Sequence, residues 1–151
     1  SIASSLAAIP VVLEVAKERL KIRNETAAFV IPLGATLNMD GTAIMQGVAT
    51  VFLSQVYGVH MTMEMYAMVV ILAVFSSIGT AGIPGAGLLT LSMVLHEVGI
   101  PLDGIVMIIG VDRLLDMLRT GVNITGDLTV AMLVDKYAQS RIYKKAATTS
   151  L

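Results

Sequence analysis

Residues 76–87 read "SSIGTAGIPGAG", and the fold turns on them. Five of the last nine residues in this run are Gly or Pro. No helix continues through that density, because Pro lacks the amide hydrogen and Gly is a poor helix former. Yet the run sits at the centre of residues 65–95, which contain no Asp, Glu, Lys or Arg. Each flank offers about 11 to 13 residues, or ~18 Å of helix, too short for a ~30 Å hydrocarbon core. Two short helices joined by an irregular tip, entering and leaving on one side, reconcile these facts. Such backbone is tolerated at membrane depth where protein buries it or a wet cavity reaches it.

The whole chain supports an apolar surrounding. Its 151 residues are 56% apolar and 14% charged, with mean hydropathy +0.83, against about 25% charged in an ordinary soluble domain. That length suits one compact domain. A net charge of −1 provides no bulk attraction for nucleic acid. There is no cysteine, which excludes a disulfide frame and a thiolate metal site. His60 and His96 stand at segment edges and read as interfacial or loop residues rather than ligands. The opening "SIASSLAAIP" has no basic n-region and reads as the interior of a longer protein, of which this chain is expected to be the C-terminal part.

Lys and Arg set the expected topology. Lys17, Arg19, Lys21 and Arg23 precede the first long apolar segment, and Lys136, Arg141, Lys144 and Lys145 follow the last. The loops at 58–64 and 96–103 have neither. By the positive-inside rule both basic ends are cytoplasmic and both bare loops lie outside. Residues 26–57 then cross outward, 65–95 form the re-entrant hairpin, and 104–134 cross back. Pro10 suits the first turn of a helix over 10–20, and the polar end "AQSRIYKKAATTSL" is expected to fray.

The outward segment is itself interrupted. "GATLNMDGTA", residues 34–43, places Asn38, Asp40 and Gly41 in mid-run. These residues favour non-helical backbone, and a lipid-facing Asp40 is costly. A helix broken at "NMD" frees carbonyl oxygens, the device by which secondary transporters hold cations and anionic substrates.

The last segment carries "VDRLLDMLRTGVNITGD", residues 111–127. At 100° per residue, Asp112, Asp116, Arg119, Asn123 and Asp127 fall within an arc of about 80°, with Thr120 at its rim. One reading is a self-neutralising stripe in which Asp116 and Arg119 pair to hold helices together. The other is a binding site. Arg119 offers a planar fork for a carboxylate, Asp116 an acceptor for an ammonium, and Asp127 has no nearby cation to offset it. An acidic amino acid suits that set.

"NMDGTA" (38–43), "SSIGTAGIPGAG" (76–87) and "VDRLLDMLRTGVNITGD" (111–127), in this order and spacing, resemble the glutamate/aspartate:sodium symporter family, which includes the excitatory amino acid transporters. The resemblance covers residues 1 to about 137. It implies an all-α membrane protein, the C-terminal part of an elevator-type transport domain without its N-terminal scaffold helices. Residues 1–23 would be the second arm of a first hairpin, 24–60 a broken transmembrane helix, 62–98 the second re-entrant hairpin, and 102–137 the last transmembrane helix. Residues 138–151 would form a cytoplasmic polar tail. The implied protein is a multi-pass, homotrimeric symporter of the plasma (inner) membrane, taking up aspartate or glutamate with sodium and using the second hairpin as gate.

By position, the resemblance implies that Arg119 binds the substrate side-chain carboxylate and Asp116 its amino group. Asn123, Thr120 and Thr42 would complete the pocket, with Ser5, Ile83 and Gly87. One sodium site would use Asn38, Asn123, Asp127 and the carbonyl of Gly34. A second would use carbonyls of Thr36, Ser77, Ile78 and Thr80, with Met39 close by. A third, incomplete in this chain, would use Asp40 and Asn38. Carbonyls and carboxylates are hard donors suited to hard cations.

Some positions depart from the family pattern. "SSLAAIP" places Leu6 and Ala8 where the first hairpin tip usually has hydroxyls. A second arginine usually lies at Ala3 or Met117. Arg113, a neighbour of Asp116 on the helix, is a candidate substitute; the alternative is an arginine snorkelling to the interface. The sequons at Asn24 and Asn123 are expected to stay unmodified, and the ten methionines read mostly as filler. The nearest rivals are dicarboxylate or cystine carriers of the same family, proton-coupled ones included. An intramembrane hydrolase finds no Gly-x-Ser-x-Gly elbow and no histidine placed to activate a serine. A purely structural assembly module is the third reading.

Overall fold

The computed structural model describes residues 4–78, 80 and 82–149, with side chains as far as Arg141. Its elements are α1 (Ser5–Glu18), α2 (Asn24–Leu37), α3 (Asp40–Val56), α4 (Met63–Ile78), α5 (Ala86–Glu97), a 3-10 turn at Leu102–Gly104, and α6 (Ile105–Thr149). The fold is all-helical, with no strand among the described residues.

Local chemistry explains most of the boundaries. The Ser4 hydroxyl accepts from the Ala7 amide and caps α1, which starts that helix at Ser5 rather than near Pro10. Pro10 therefore lies inside α1, a correction to the expected first-turn position: the Ser4 cap and the burial of Ala8, Val12 and Ala16 on one face together carry the helix past the amide that proline cannot donate. α2 stops at Leu37, and Asn38 (ψ 83°) and Met39 (ψ 48°) leave helical geometry before Asp40 opens α3. A carboxylate in a first turn is favoured by the helix dipole. α4 is a 16-residue helix and α5 a 12-residue one, so the first arm is longer than its apolar flank suggested. Gly85, with φ +80°, leads into α5, a left-handed conformation that glycine adopts without strain.

The polar C-terminal stretch does not fray as expected. α6 continues to Thr149, where Ala, Gln, Lys and Arg are good helix formers. Gln139 donates to Asp135 one turn back, and the Arg141 guanidinium donates to the Tyr137 hydroxyl over the same spacing.

Two apolar clusters sit at different heights on α6. Met45, Leu53, Val69, Leu91, Val94, Leu95 and Ile108 join α3, α4, α5 and the start of α6. Val12, Ala16, Ala27, Ile31 and Ala131 join α1, α2 and the later part of α6. From Ile108 to Ala131 is roughly 35 Å along the helix, and the polar stripe occupies that interval. Meanwhile large apolar side chains face outward, Phe29 and Phe75 being 70% and 72% exposed. A buried polar stripe between apolar clusters, under an apolar exterior, suits a lipid-facing helix set or one covered by other protein. By length and composition alone, residues 24–56 taken through their break are apolar enough to cross a membrane, whereas α4 and α5 are apolar but shorter.

Candidate functional site

The stripe on α6 is turned inward. Asp116, Arg119, Thr120, Asn123 and Asp127 are all buried, Asp127 to 2% exposure. Arg119 Nη2 donates to Asp116 Oδ1 at 2.7 Å and to Asp112 Oδ1 at 3.3 Å, so the pairing of the self-neutralising reading exists. It leaves a remainder. Arg119 Nη1 is a buried donor without a hydrogen-bond partner, an arrangement that costs about 1–3 kcal/mol or more for a charged group. That nitrogen lies against Gly87 on the first turn of α5, where any Cβ would overlap it.

The remaining walls come from the other elements. Around a cavity of about 20 Å³ the structure brings together Arg119, Asp116, Thr120 and Asn123 from α6, and Thr42 from α3. Ser5 comes from α1, and Ile83 and Gly87 from the second hairpin. These are the eight residues carried over for the substrate. Thr80 and Met39, assigned to ion binding, also line it, as do Ser4 and Gly82, which the sequence reading passed over. Ser4 was legible as a hydroxyl one residue ahead of a helix, the pattern of an N-cap. Its Oγ donates to the Gly82 carbonyl at 2.8 Å and joins the start of α1 to the hairpin tip. A cavity of this size holds about one water, so a larger ligand requires a wall to move. A larger groove between α3 and α6, about 380 Å³, is apolar apart from Arg119 at its edge and lacks the converging polar groups of a small-molecule site.

Beside the pocket lie the residues assigned to cations. Asn38 Nδ2 donates to Asp127 Oδ1 at 3.1 Å. A Cβ on Gly34 would overlap that same Asp127 oxygen, so Gly34, Asn38 and Asp127 form one close group. The Asn123 side chain is turned elsewhere: its Oδ1 accepts from the Gly41 amide at 2.7 Å and its Nδ2 reaches Met39 Sδ at 3.2 Å.

For the second set, α2 and α4 pack together. The Ser77 carbonyl accepts from the Thr80 amide at 3.2 Å. The Thr36 hydroxyl bonds within its own helix, to Pro32. Ile78 is exposed at the end of α4. For the third, a Cβ on Gly126 would meet Asn38 Nδ2 at 2.6 Å and Asp40 Oδ2 at 3.1 Å. Asp40 is exposed, in an open groove bordered by Thr125 and Thr129. No cluster of three or more His, Cys, Asp or Glu among the described residues could hold a metal. The available donors are mixed carbonyl, amide and carboxylate oxygens, a set for a hard and weakly held cation.

Arg113 does not join this group. It is exposed on α6, whereas Arg119 alone bridges Asp112 and Asp116; one turn's separation did not bring Arg113 to Asp116 because its side chain leaves the buried face. Leu6 is 42% exposed, and its amide reaches the Gly82 carbonyl at 3.5 Å. Ala3 lies outside the described residues. His60 and His96 are exposed. Asn123 is 3% exposed.

The model of the sodium:dicarboxylate symporter family matches residues 1–137. The chain belongs to that family. The family is one of transporters, not enzymes, and its members are integral membrane proteins. Over 150 residues, 97% of this chain, it is 40% identical to an excitatory amino acid transporter of Caenorhabditis elegans, covering 30% of that protein. Over 141 residues, 93% of this chain, it is 41% identical to excitatory amino acid transporter 3 of Mus musculus, covering 27% of it. Excitatory amino acid transporter 2 of Homo sapiens is 40% identical over 140 residues, 93% of this chain and 24% of that protein. The chain thus spans about a quarter to a third of the length of these relatives.

Proposed function

We propose that the chain is the substrate- and sodium-binding part of a symporter for acidic amino acids. The observation that carries this reading is the unpartnered Nη1 of buried Arg119, which lies against Gly87 in the wall of a pocket that Asp116 also lines. A substrate carboxylate would supply the missing partner, and Asp116 would meet its ammonium once Arg119 turns from that carboxylate to the ligand. The relatives, named excitatory amino acid transporters, agree with an acidic substrate.

Sodium would bind as co-substrate at Gly34, Asn38 and Asp127, with Asn123 able to contribute if its amide turns. Carbonyls of Thr36, Ser77, Ile78 and Thr80 would form a second site, and Asp40 with Asn38 part of a third. α2 and α4 both end where these carbonyls lie, and helix C-termini favour cations. Coupling is then linkage: cations that order the ends of α2 and α4 favour the arrangement of the tip that holds the substrate, and the substrate favours the cations equally. The tip between α4 and α5 would open as a gate, since the present cavity is too small for an amino acid. The elevator motion, the homotrimer, the plasma-membrane topology and the cytoplasmic C-terminus belong to the same proposal for the whole protein.

The test is calorimetric aspartate binding to the full-length protein, with sodium titrated against potassium and protons. Binding should require sodium. Arg119→Cys should lose acidic ligands, and Asp127→Asn should need more sodium for the same occupancy. A dicarboxylate lacking the amino group that binds as tightly as aspartate would favour the dicarboxylate-carrier alternative and remove Asp116 from its role. Wild-type-like uptake by Arg119→Cys would sink the assignment.

A further inference from the structure

Gln46 lies in mid-α3, completely buried in an otherwise apolar stretch, and no sequence motif singled it out. Its carboxamide bridges both arms of the second hairpin. Ser76 Oγ on α4 donates to Gln46 Oε1 at 2.7 Å, and Gln46 Nε2 donates to Thr90 Oγ1 on α5. Thr90 in turn donates to the Gly87 carbonyl at 3.1 Å. A hydroxyl has one hydrogen, so with Thr90 donating to Gly87 it accepts from Gln46, and the carboxamide offers its oxygen to one arm and its nitrogen to the other. On the other arm, the Thr80 hydroxyl donates to the Ser76 carbonyl at 2.7 Å and stands 3.4 Å from Thr90 Oγ1. The chain of bonds therefore runs from α3 to Gly87 and Thr80, both of which line the polar pocket.

We propose that Gln46 is a positioning residue for that pocket: by pinning Ser76 and Thr90 to α3, it sets the two feet of the hairpin tip so that Gly87 and Thr80 close on Arg119. The chemistry explains why an amide stands there. The bridge needs one acceptor and one donor on a single short group, and a hydrocarbon side chain provides neither. In a low-dielectric interior an unpaired hydroxyl or amide is costly, so the three side chains hold together or separate together. Cation or substrate binding would act against a preset hairpin rather than against two independent helices. The substrate readout below rests on the proposed function; the exchange readout does not.

The experiment uses the full-length protein, comparing wild type, Gln46→Leu, Thr90→Val, the double variant, and Ser92→Ala. Ser92 is on the same helix, but its hydroxyl bonds only to its own turn, at Leu89. Hydrogen–deuterium exchange of tip peptides and aspartate binding at saturating sodium are both measured. Each lost hydrogen bond weakens the linkage about fivefold, and Gln46 makes two. Gln46→Leu should therefore raise both tip exchange and the aspartate Kd about tenfold or more. Thr90→Val should do likewise, and the double variant should be no worse than the poorer single variant, because both act through one linkage. Ser92→Ala should match wild type. If Gln46→Leu does not fold, Thr90→Val against Ser92→Ala decides. A lowered melting temperature with unchanged tip exchange, or additive effects in the double variant, would overturn the proposal in favour of a general packing role. If wild type fails to bind aspartate, the transport reading falls, and the exchange comparison still decides the role of Gln46.

Discussion

Gly87→Ala asks whether the guanidinium of Arg119 is held where an acidic ligand needs it. The added methyl would overlap Nη1 and lie 2.9 Å from Cζ and 3.4 Å from Nη2. Non-bonded carbons settle at about 3.5–4.0 Å, so Cζ must retreat by roughly 0.6 Å or more, and Nη1 further. The guanidinium is buried and tied to Asp116 at 2.7 Å and Asp112 at 3.3 Å, so a shift of that size stretches one bond or the other. Overpacking of this kind costs about 1–3 kcal/mol, which raises the aspartate Kd about 5- to 150-fold. The assay is isothermal calorimetry on the full-length protein at saturating sodium, with Gly47→Ala as control because a Cβ there meets nothing. A folded Gly87→Ala protein that binds aspartate as wild type does would refute the geometry on which the pocket rests.

Three further outcomes are expected. Gly34→Ala, whose Cβ would overlap Asp127 Oδ1 and sit 2.8 Å from its Cγ, should raise the sodium concentration for half-maximal aspartate binding about tenfold; an unchanged sodium titration removes Gly34 from the ion site. Asp135→Ala should lower the melting temperature with no change in aspartate Kd, since Asp135 accepts from Arg23 Nε at 2.7 Å, Thr26 at 2.8 Å and Gln139 at 2.7 Å and its loss leaves those donors unpaired. An unaltered melting curve would show that this cluster does not fasten α2 to α6. Arg113→Ala should bind aspartate within about twofold of wild type, as expected of an exposed side chain outside the pocket; a tenfold loss would restore Arg113 to the site.

Much of this protein is local chemistry, and the sequence carries it openly. The Gly and Pro run after Ile78 stops α4, Asn38 and Met39 interrupt the apolar run between α2 and α3, and the spacing of Asp112, Asp116, Arg119, Asn123 and Asp127 makes one face of α6 polar. Each of these follows from helix periodicity and backbone preference over a few residues, so neighbours alone determine it. The family motifs then named eight residues that share one small pocket, because a long motif encodes a packed arrangement indirectly. Local reasoning failed where two local forces compete, at Pro10 inside a capped helix and in the polar end that continues α6.

What tertiary structure alone decided is which polar groups meet. Asp135 finds Arg23 across 112 residues of chain, and Gln46 finds Ser76 and Thr90 across 30 and 44. No periodicity distinguishes these partners beforehand, since a buried donor or acceptor is satisfied by whatever face the packing of two helices brings within about 3 Å of it.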